Sequence, residues 1–275
     1  MKRKKMLLFS ILLAVIVAAV VWIAWGNTAL MLHEIRIESE NIPNSFSGFR
    51  IVQVSDLHNE EFGENNKKLL EQIENADPDM IVITGDIVDS YNTDIEGALS
   101  LARQAVLIAP TYFVNGNHEA RISEYRALRA GLEEAGVKLL LNASVQLERE
   151  GERITLLGIQ DPSFRGNTKQ GLIRLLPQDD SYTVLLSHRP ELFDTYVQSG
   201  VDLIFTGHAH GGQFRLPFIG GVFTPGQGFF PKYDAGLYTQ GNTNMIVSRG
   251  LGNSLFPFRI NNRPEIIVVE LSGHQ

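Results

Sequence analysis

Hydrophobic and polar positions follow three different rhythms along the chain. Met6 to Trp25 is a run of 20 almost wholly apolar residues without a charge, the length that crosses a bilayer core as a helix. His33 to Ser39 alternates polar and apolar positions, which predicts a half-buried strand. Short Ile/Val-rich runs at Arg50 to Ser55 and Met80 to Thr84 predict buried strands of a layered sheet. Thr111 to Val114, Tyr182 to Ser187, Asp202 to Thr206, Met245 to Ser248 and Glu265 to Leu271 predict further strands. Leu147 to Gln160 holds two strand-like runs around Glu150-Gly151-Glu152, a predicted hairpin turn. Helical spacing puts Leu69, Leu70 and Ile73 on one face over Asn65 to Asn75. Helices are also expected over Asp94 to Leu107, from Ser123 with Glu124 in the first turn, and after Pro190. Residues 211–236 are rich in Gly, Pro and Phe without a period and read as a long ordered loop. The alternation predicts an α/β domain whose strands end in polar clusters, where the sites of such domains lie.

Four cations, Lys2, Arg3, Lys4 and Lys5, precede the apolar run. The positive-inside rule sets them in the cytoplasm and everything after Trp25 outside it. Trp22 and Trp25 stand at the far end, where interfacial aromatics belong. A cleaved signal peptide is the rival, since Ala24-Trp25-Gly26 is a weak small-x-small site. Secretory apolar cores run only about 7–15 residues, so an uncleaved anchor is expected.

Composition sharpens this picture. The chain is 44% hydrophobic, with seven His and no Cys. That excludes a disordered chain, a disulfide scaffold, thiolate zinc and a Cys nucleophile. The net charge of −7 hides a split. The first 30 residues hold four cations and no acid, which leaves 20 Lys and Arg against 31 Asp and Glu, or −11, for the rest. Such a domain is a poor coat for nucleic acid.

Five motifs close five of the expected strands: Asp56-Leu57-His58, Gly85-Asp86, Asn115-Gly116-Asn117-His118-Glu119, His188, and Gly207-His208-Ala209-His210. Asp, His and Asn are hard-to-borderline donors suited to divalent Mn, Fe, Zn, Co or Ni. An Asp-x-His or His-x-His pair at a strand end can turn both side chains toward one ion. A lone His or Asp at a strand end is more often a hydrogen-bonded histidine or a turn residue. Here five of the seven His fall in the motifs, and that joint pattern carries the reading.

Together these motifs resemble the signature of the calcineurin-like metallophosphoesterases, over roughly residues 48–271. The segment from Gly207 to Gln213, with Pro225-Gly226-Gln227 behind it, is similar to the bacterial membrane-associated YkuE/YaeI-like subgroup. The resemblance implies a four-layer αββα sandwich, here preceded by one transmembrane helix. The division expected is a basic flank 1–5, a signal-anchor helix 6–25, a juxtamembrane segment and first strand 26–47, and the metallophosphoesterase domain 48–271. It also implies two divalent ions, one held by Asp56, His58 and His210, the other by Asn117, His188 and His208, with Asp86 bridging. The implied reaction is attack on a phosphomonoester or phosphodiester by a hydroxide shared between the ions.

His118 is the motif histidine left over, and the resemblance makes it the acid that protonates the leaving oxygen. In relatives with Gly-Asp-x-x-Asp the second Asp orients this His, which points to Asp89; a turn cap is the alternative. Glu119 reads as structural. Protein phosphatases of the superfamily follow that Asp with Arg-Gly, but Ser90-Tyr91 stands here. This departure weakens a protein-phosphatase reading. Asn59 and Arg189 become the candidate substrate contacts, with helix capping the alternative for Arg189, and Asp161 is expected near the site. His33 and His274 are expected in solvent. Phe214, Phe218, Phe223, Phe229, Phe230 and Tyr233 are expected to plug the core, with an apolar lip meeting lipid as the alternative. The reading is thus a single-pass membrane protein, monomeric, with its domain outside the cytoplasm. Its substrate is a small or lipid-linked phosphoester. A non-catalytic metal scaffold and a nuclease are the alternatives.

Overall fold

A computed structural model describes residues 2–165, 167–254 and 256–273. The apolar run forms α1 (Lys2–Thr28), and none of its residues is buried. An 18-residue stretch of it has a mean hydropathy of 3.0, which with its length makes it a candidate membrane span. After it the chain builds β1 (Met31–Ser39), β2 (Arg50–Val54), α2 (Lys67–Asn75), β3 (Met80–Thr84), α3 (Ile95–Ile108), β4 (Thr111–Val114), α4 (Tyr125–Glu134) and β5 (Lys138–Leu139). There follow β6 (Ala143–Arg149), β7 (Glu152–Gly158), α5 (Thr168–Leu175), β8 (Tyr182–Leu186), α6 (Phe193–Gln198) and β9 (Leu203–Thr206). Two small hairpins come next, β10 (Arg215–Leu216) with β11 (Gly220–Gly221) and β12 (Phe223–Thr224) with β13 (Gly228–Phe229). The chain closes with β14 (Gly236–Gln240), β15 (Thr243–Val247) and β16 (Glu265–Gly273).

Two six-stranded sheets result, ordered β1-β16-β2-β3-β4-β5 and β14-β15-β9-β8-β7-β6. Strands β2 to β5 run parallel, as do β7, β8, β9 and β15. The central strands are buried on both faces, which is why β3 reads Met-Ile-Val-Ile-Thr without alternation. Ile51, Val82, Tyr112, Val184, Phe205, Ile246 and Ile267 fill the space between the sheets. On the outer face of the first sheet, Leu69 and Ile73 of α2, Leu101 of α3 and Leu128 of α4 pack over Val54 and Ile83. On the outer face of the second, Phe193 and Tyr196 of α6 and Leu172 of α5 pack over Leu185 and Ile204. The layers are therefore helix, sheet, sheet, helix. Each such aliphatic side chain taken from water contributes about 1.5–3 kcal/mol. Asp94 caps α3 by accepting from the Gly97 N–H at 3.1 Å.

Two expectations change, and one is not reached. His33 is not free in solvent: its side chain is 42% exposed, and its Nδ1 lies 3.1 Å from the buried Glu265 carboxylate, which needs a partner. His274 lies outside the described residues. Of the six loop aromatics only Tyr233 is a plug, stacked edge-on against Phe193 at 5.5 Å. Phe214 and Phe223 are half-buried, while Phe218, Phe229 and Phe230 are exposed on the hairpins.

The His33 contact has a pH signature. The hydrogen bond to Glu265 raises the His33 pKa above its usual 6.5. The contact therefore stabilises the fold fully below about pH 6.5 and fades as pH rises through the raised value. Partial exposure limits it to a fraction of about 1 kcal/mol. Thermal melts at pH 5.5 and 8.5 should show a slightly smaller drop for His33→Gln than for the parent. An equal drop in both would refute the contact.

Candidate metal centre

Parallel strands align their C-terminal ends, so the motifs after β2, β3 and β4 share one edge of the first sheet. Those after β8 and β9 share one edge of the second. Packing the sheets face to face brings the two edges together. Below them Gln53 crosses between the sheets, donating to Thr84 Oγ1 at 2.8 Å and to the Thr206 carbonyl at 2.9 Å. Above, the His208 N–H donates to both Asp56 carboxylate oxygens at 3.0 and 3.1 Å.

The turns that follow the strands are strained. Asp56, His58, Asp86, His208 and His210 all have φ between 48° and 65°, a left-handed conformation that costs of order 1–3 kcal/mol each outside glycine. Backbone bonds hold them there: the Asp56 N–H to the Gly85 carbonyl at 3.1 Å, the His58 N–H to the Asp86 carbonyl at 3.0 Å. Glycine is required where these turns touch. A Cβ on Gly116 would meet the Asp86 amide nitrogen at 2.8 Å and collide with its carboxylate.

Asp56, His58, Asp86 and His210 form one cluster, Asp86, His188 and His208 a second, and His58, Asp89 and His118 a third; in each the donor atoms lie within 4.8 Å of one another. His58 Nε2 stands 3.2 Å from His210 Nε2 and 3.7 Å from Asp86 Oδ2. His210 Nε2 is 3.4 Å from Asp56 Oδ1, and His188 Nε2 is 3.1 Å from Asp86 Oδ2. Asn117 is buried beside them, and its Oδ1 has no hydrogen-bond partner among the described residues. His188 Nδ1 faces the Thr84 carbonyl at 2.8 Å. A carbonyl only accepts, so Nδ1 carries the proton and Nε2 turns a lone pair to Asp86 whenever the ring is neutral. Converging lone pairs and an orphaned amide oxygen, all buried, are what a pair of hard-to-borderline ions requires.

Electrostatics agree. Burial lowers His58 to about 3 and holds His208 and His210 well below the usual imidazole range, so these rings stay neutral donors. Burial raises Asp56 to about 6, with His188 opposing. Burial also works against ionised Asp86, but His188 and then His58 hold its carboxyl well below the usual range. Burial opposes charge on His188 too, yet the Asp86 charge wins and raises it to about 10. A proton on His188 balances the buried carboxylates where a cation otherwise would, and a metal bound there would displace it.

The other expected residues divide. His118 is buried, and its Nδ1 receives the Ser90 N–H at 3.0 Å with Ser90 Oγ at 3.1 Å. A backbone N–H only donates, so neutral His118 carries its proton on Nε2. Asp89 Oδ1 is 3.6 Å from that Nδ1 and accepts instead from the Tyr91 N–H at 2.8 Å. Asn59 does not reach the cavity; it staples the 89–94 loop, accepting from the Asp89 N–H at 2.7 Å and the Asp94 N–H at 3.2 Å. Arg189 does reach it. Its Nε meets Asp161 Oδ2 at 2.5 Å and its Nη1 donates to His208 Nε2 at 2.8 Å. The Asp161 carboxyl is buried; burial pushes against its charge, but Arg189 holds its pKa below the usual value. Glu119 is a backbone clamp, accepting from the N–H groups of Asp86 and Ile87 at 2.9 Å and Gly116 at 2.6 Å. Burial and then the Asp86 charge raise it to about 7, while its N–H donors pull the other way.

A cavity of about 290 Å³ opens over Asp86, Asn117, His118, His208 and His210. Arg121, Tyr91, Ser254 and Phe223 also line it. No sequence motif singles out Arg121 or Ser254. Arg121, three residues after His118, is the one a search for cations near the motifs would have found.

Known proteins give the same reading. The family model described as calcineurin-like phosphoesterase matches residues 49–212. The metallophosphoesterase YkuE of Bacillus subtilis (strain 168) is 32% identical over 242 residues, covering 86% of this chain and 84% of that one. The phosphodiesterase YaeI of Escherichia coli (strain K12) is 28% identical over 199 residues, 70% of each chain. The crystal structure of TT1561 of Thermus thermophilus shares the fold at a TM-score of 0.51 and 13% identity, covering 74% of this chain and 91% of that one. With its paired His/Asp clusters joined at Asp86, the chain belongs to the calcineurin-like phosphoesterases and is a metal-dependent phosphoesterase.

Proposed function

We propose that this is a membrane-tethered phosphoesterase that hydrolyses phosphomonoesters or phosphodiesters outside the cytoplasm with two divalent ions. The observation that carries the reading is Asp86, shared by the Asp56/His58/His210 and the His188/His208 clusters. Asp56, His58 and His210 would hold one ion, and Asn117, His188 and His208 the other, with availability deciding among Mn, Fe, Zn, Co and Ni. When bound, the ions supply an activated water and charge stabilisation at the phosphoryl oxygens.

The protein supplies the rest. The Ser90 N–H at Nδ1 fixes the tautomer of neutral His118, so its Nε2–H would donate a hydrogen bond to a leaving oxygen. Full proton transfer would need the doubly protonated ring, with the Ser90 N–H bond at Nδ1 given up and Asp89 Oδ1, 3.6 Å from Nδ1, as the balancing charge. Arg189, steered by Asp161, and Arg121 line the cavity as the cations that would orient substrate phosphate.

The anchor reading is supported by α1, by the cations Lys2 to Lys5 before it, and by its unburied apolar surface. Phe223 lines the cavity and stacks at 5.2 Å on exposed Phe229. This favours the apolar lip, and with it a lipid-linked substrate.

The purified full chain in detergent should hydrolyse p-nitrophenyl phosphate or its bis ester. A chelator should stop the reaction and added Mn restore it. Turnover that survives complete metal removal would sink the proposal.

A further inference from the structure

The foot of α1 closes a second cavity, of about 260 Å³, far in character from the metal centre. Trp22, Ile23, Trp25 and Gly26 form its helical wall, and Arg249, Arg259 and Arg263 its domain wall. The junction is built rather than incidental. Asn27 accepts from the Arg259 N–H at 2.7 Å and donates to the Arg259 carbonyl at 3.0 Å. The Arg263 guanidinium lies 4.9 Å over the Trp25 ring and donates to the carbonyls of Ala29 and Leu30 at 2.9 and 2.7 Å.

The cavity is lined by three arginines, and the carboxylate charges acting on Arg259 are those of Asp56, Glu265 and Glu60. Among the described residues, the carboxylate within 4 Å of these three arginines is Glu265, 3.6 Å from Arg249 Nε and also held by His33. Arg259 is 2% exposed and has carbonyl partners on its Nη atoms, from Arg249 and Gly252, but its Nε has no hydrogen-bond partner among the described residues. Burial lowers its pKa to about 10, so it stays charged at neutral pH. A buried guanidinium with a free N–H calls for an anion, and Arg matches phosphate well.

Height selects the anion. Trp22 and Trp25 end the 20-residue apolar run, which places this cavity at the headgroup level of the leaflet facing the domain. On this geometry, and resting on the anchor reading of α1, we infer that the collar of Arg249, Arg259 and Arg263 binds the phosphate of a membrane phospholipid headgroup. The lipid's chains would then lie against α1. A lipid seated there would fix the domain's tilt on the membrane.

The test is direct because the chain's two tryptophans both line this cavity. The full chain in dodecyl maltoside is titrated with short-chain phosphatidylglycerol while tryptophan emission is followed. A saturable shift is expected. Arg263→Gln and Arg249→Gln, which spare the buried Arg259, should each weaken it about tenfold, the worth of one charge-assisted hydrogen bond. Both variants should keep the aryl-ester turnover of the parent. An equal shift with the matching diacylglycerol, or unchanged titrations in both variants, overturns the site. Saturation by inorganic phosphate at the same concentration as by the lipid overturns its assignment to lipid. Alkaline carbonate washing of membranes separates the two readings. Release of the chain overturns the anchor and the lipid site together, whereas retention without a phosphate-dependent shift overturns the site alone.

Discussion

Asp86→Asn should lower turnover about a thousandfold while leaving the protein folded. The substitution keeps shape and removes charge. The Asn oxygen can still accept the His118 N–H, which reaches Asp86 Oδ1 at 2.8 Å. Its amide nitrogen then falls where Oδ2 now stands, 3.1 Å from His188 Nε2 and 3.7 Å from His58 Nε2. An N–H there donates to the imidazole lone pairs that metal needs and offers no anion to either cluster. Elemental analysis should show loss of bound metal, with a melting temperature close to that of the metal-free parent. A variant that keeps its metal content and its turnover would show that Asp86 is not shared between ions.

Glu119→Ala should be the most destabilising single change at the site, by about 4 kcal/mol. Its carboxylate satisfies the buried N–H groups of Asp86, Ile87 and Gly116, and each orphaned buried donor costs about 1–3 kcal/mol. That is a large share of the roughly 5–15 kcal/mol that holds a domain together. Glu119→Gln keeps one acceptor oxygen but turns an amide toward another donor, so it should fall between the two. Melting temperatures ordered parent, Gln, Ala are the expected outcome. A Glu119→Ala protein that melts with the parent would remove the clamp from the picture.

The central strands were readable because burial on both faces leaves a continuous Ile/Val run with a polar stop. The expected strand over Met80 to Thr84 coincides with β3, and that over Thr111 to Val114 with β4. The polar stops are the motif residues, so fold and site became visible together. Short elements were not readable: α5 spans eight residues and buries only Leu172, and β14 is a half-covered edge strand. Backbone state left no trace either. The positive φ of Asp56, His58, Asp86, His208 and His210 comes from turn contacts made across the sheet edge. The resemblance pointed to Asp89 at His118, with a turn cap as the alternative; the turn delivers the neighbouring Ser90 N–H and hydroxyl to Nδ1, and Asp89 accepts the Tyr91 N–H. Exposure of Phe218, Phe229 and Phe230 follows from two hairpins too short to carry a strand pattern. Arg259 stands far along the chain from every motif and enters the collar only through the docking of α1.

Two ions bridged by Asp86 are the centre of this reading, and anomalous diffraction from crystals of the active protein grown with Mn tests them most directly. Two peaks about 3.5–4 Å apart are expected, one beside Asp56, His58 and His210, the other beside Asn117, His188 and His208, with Asp86 touching both. A single peak, or none among these side chains in crystals that still turn over a phosphoester, would contradict it.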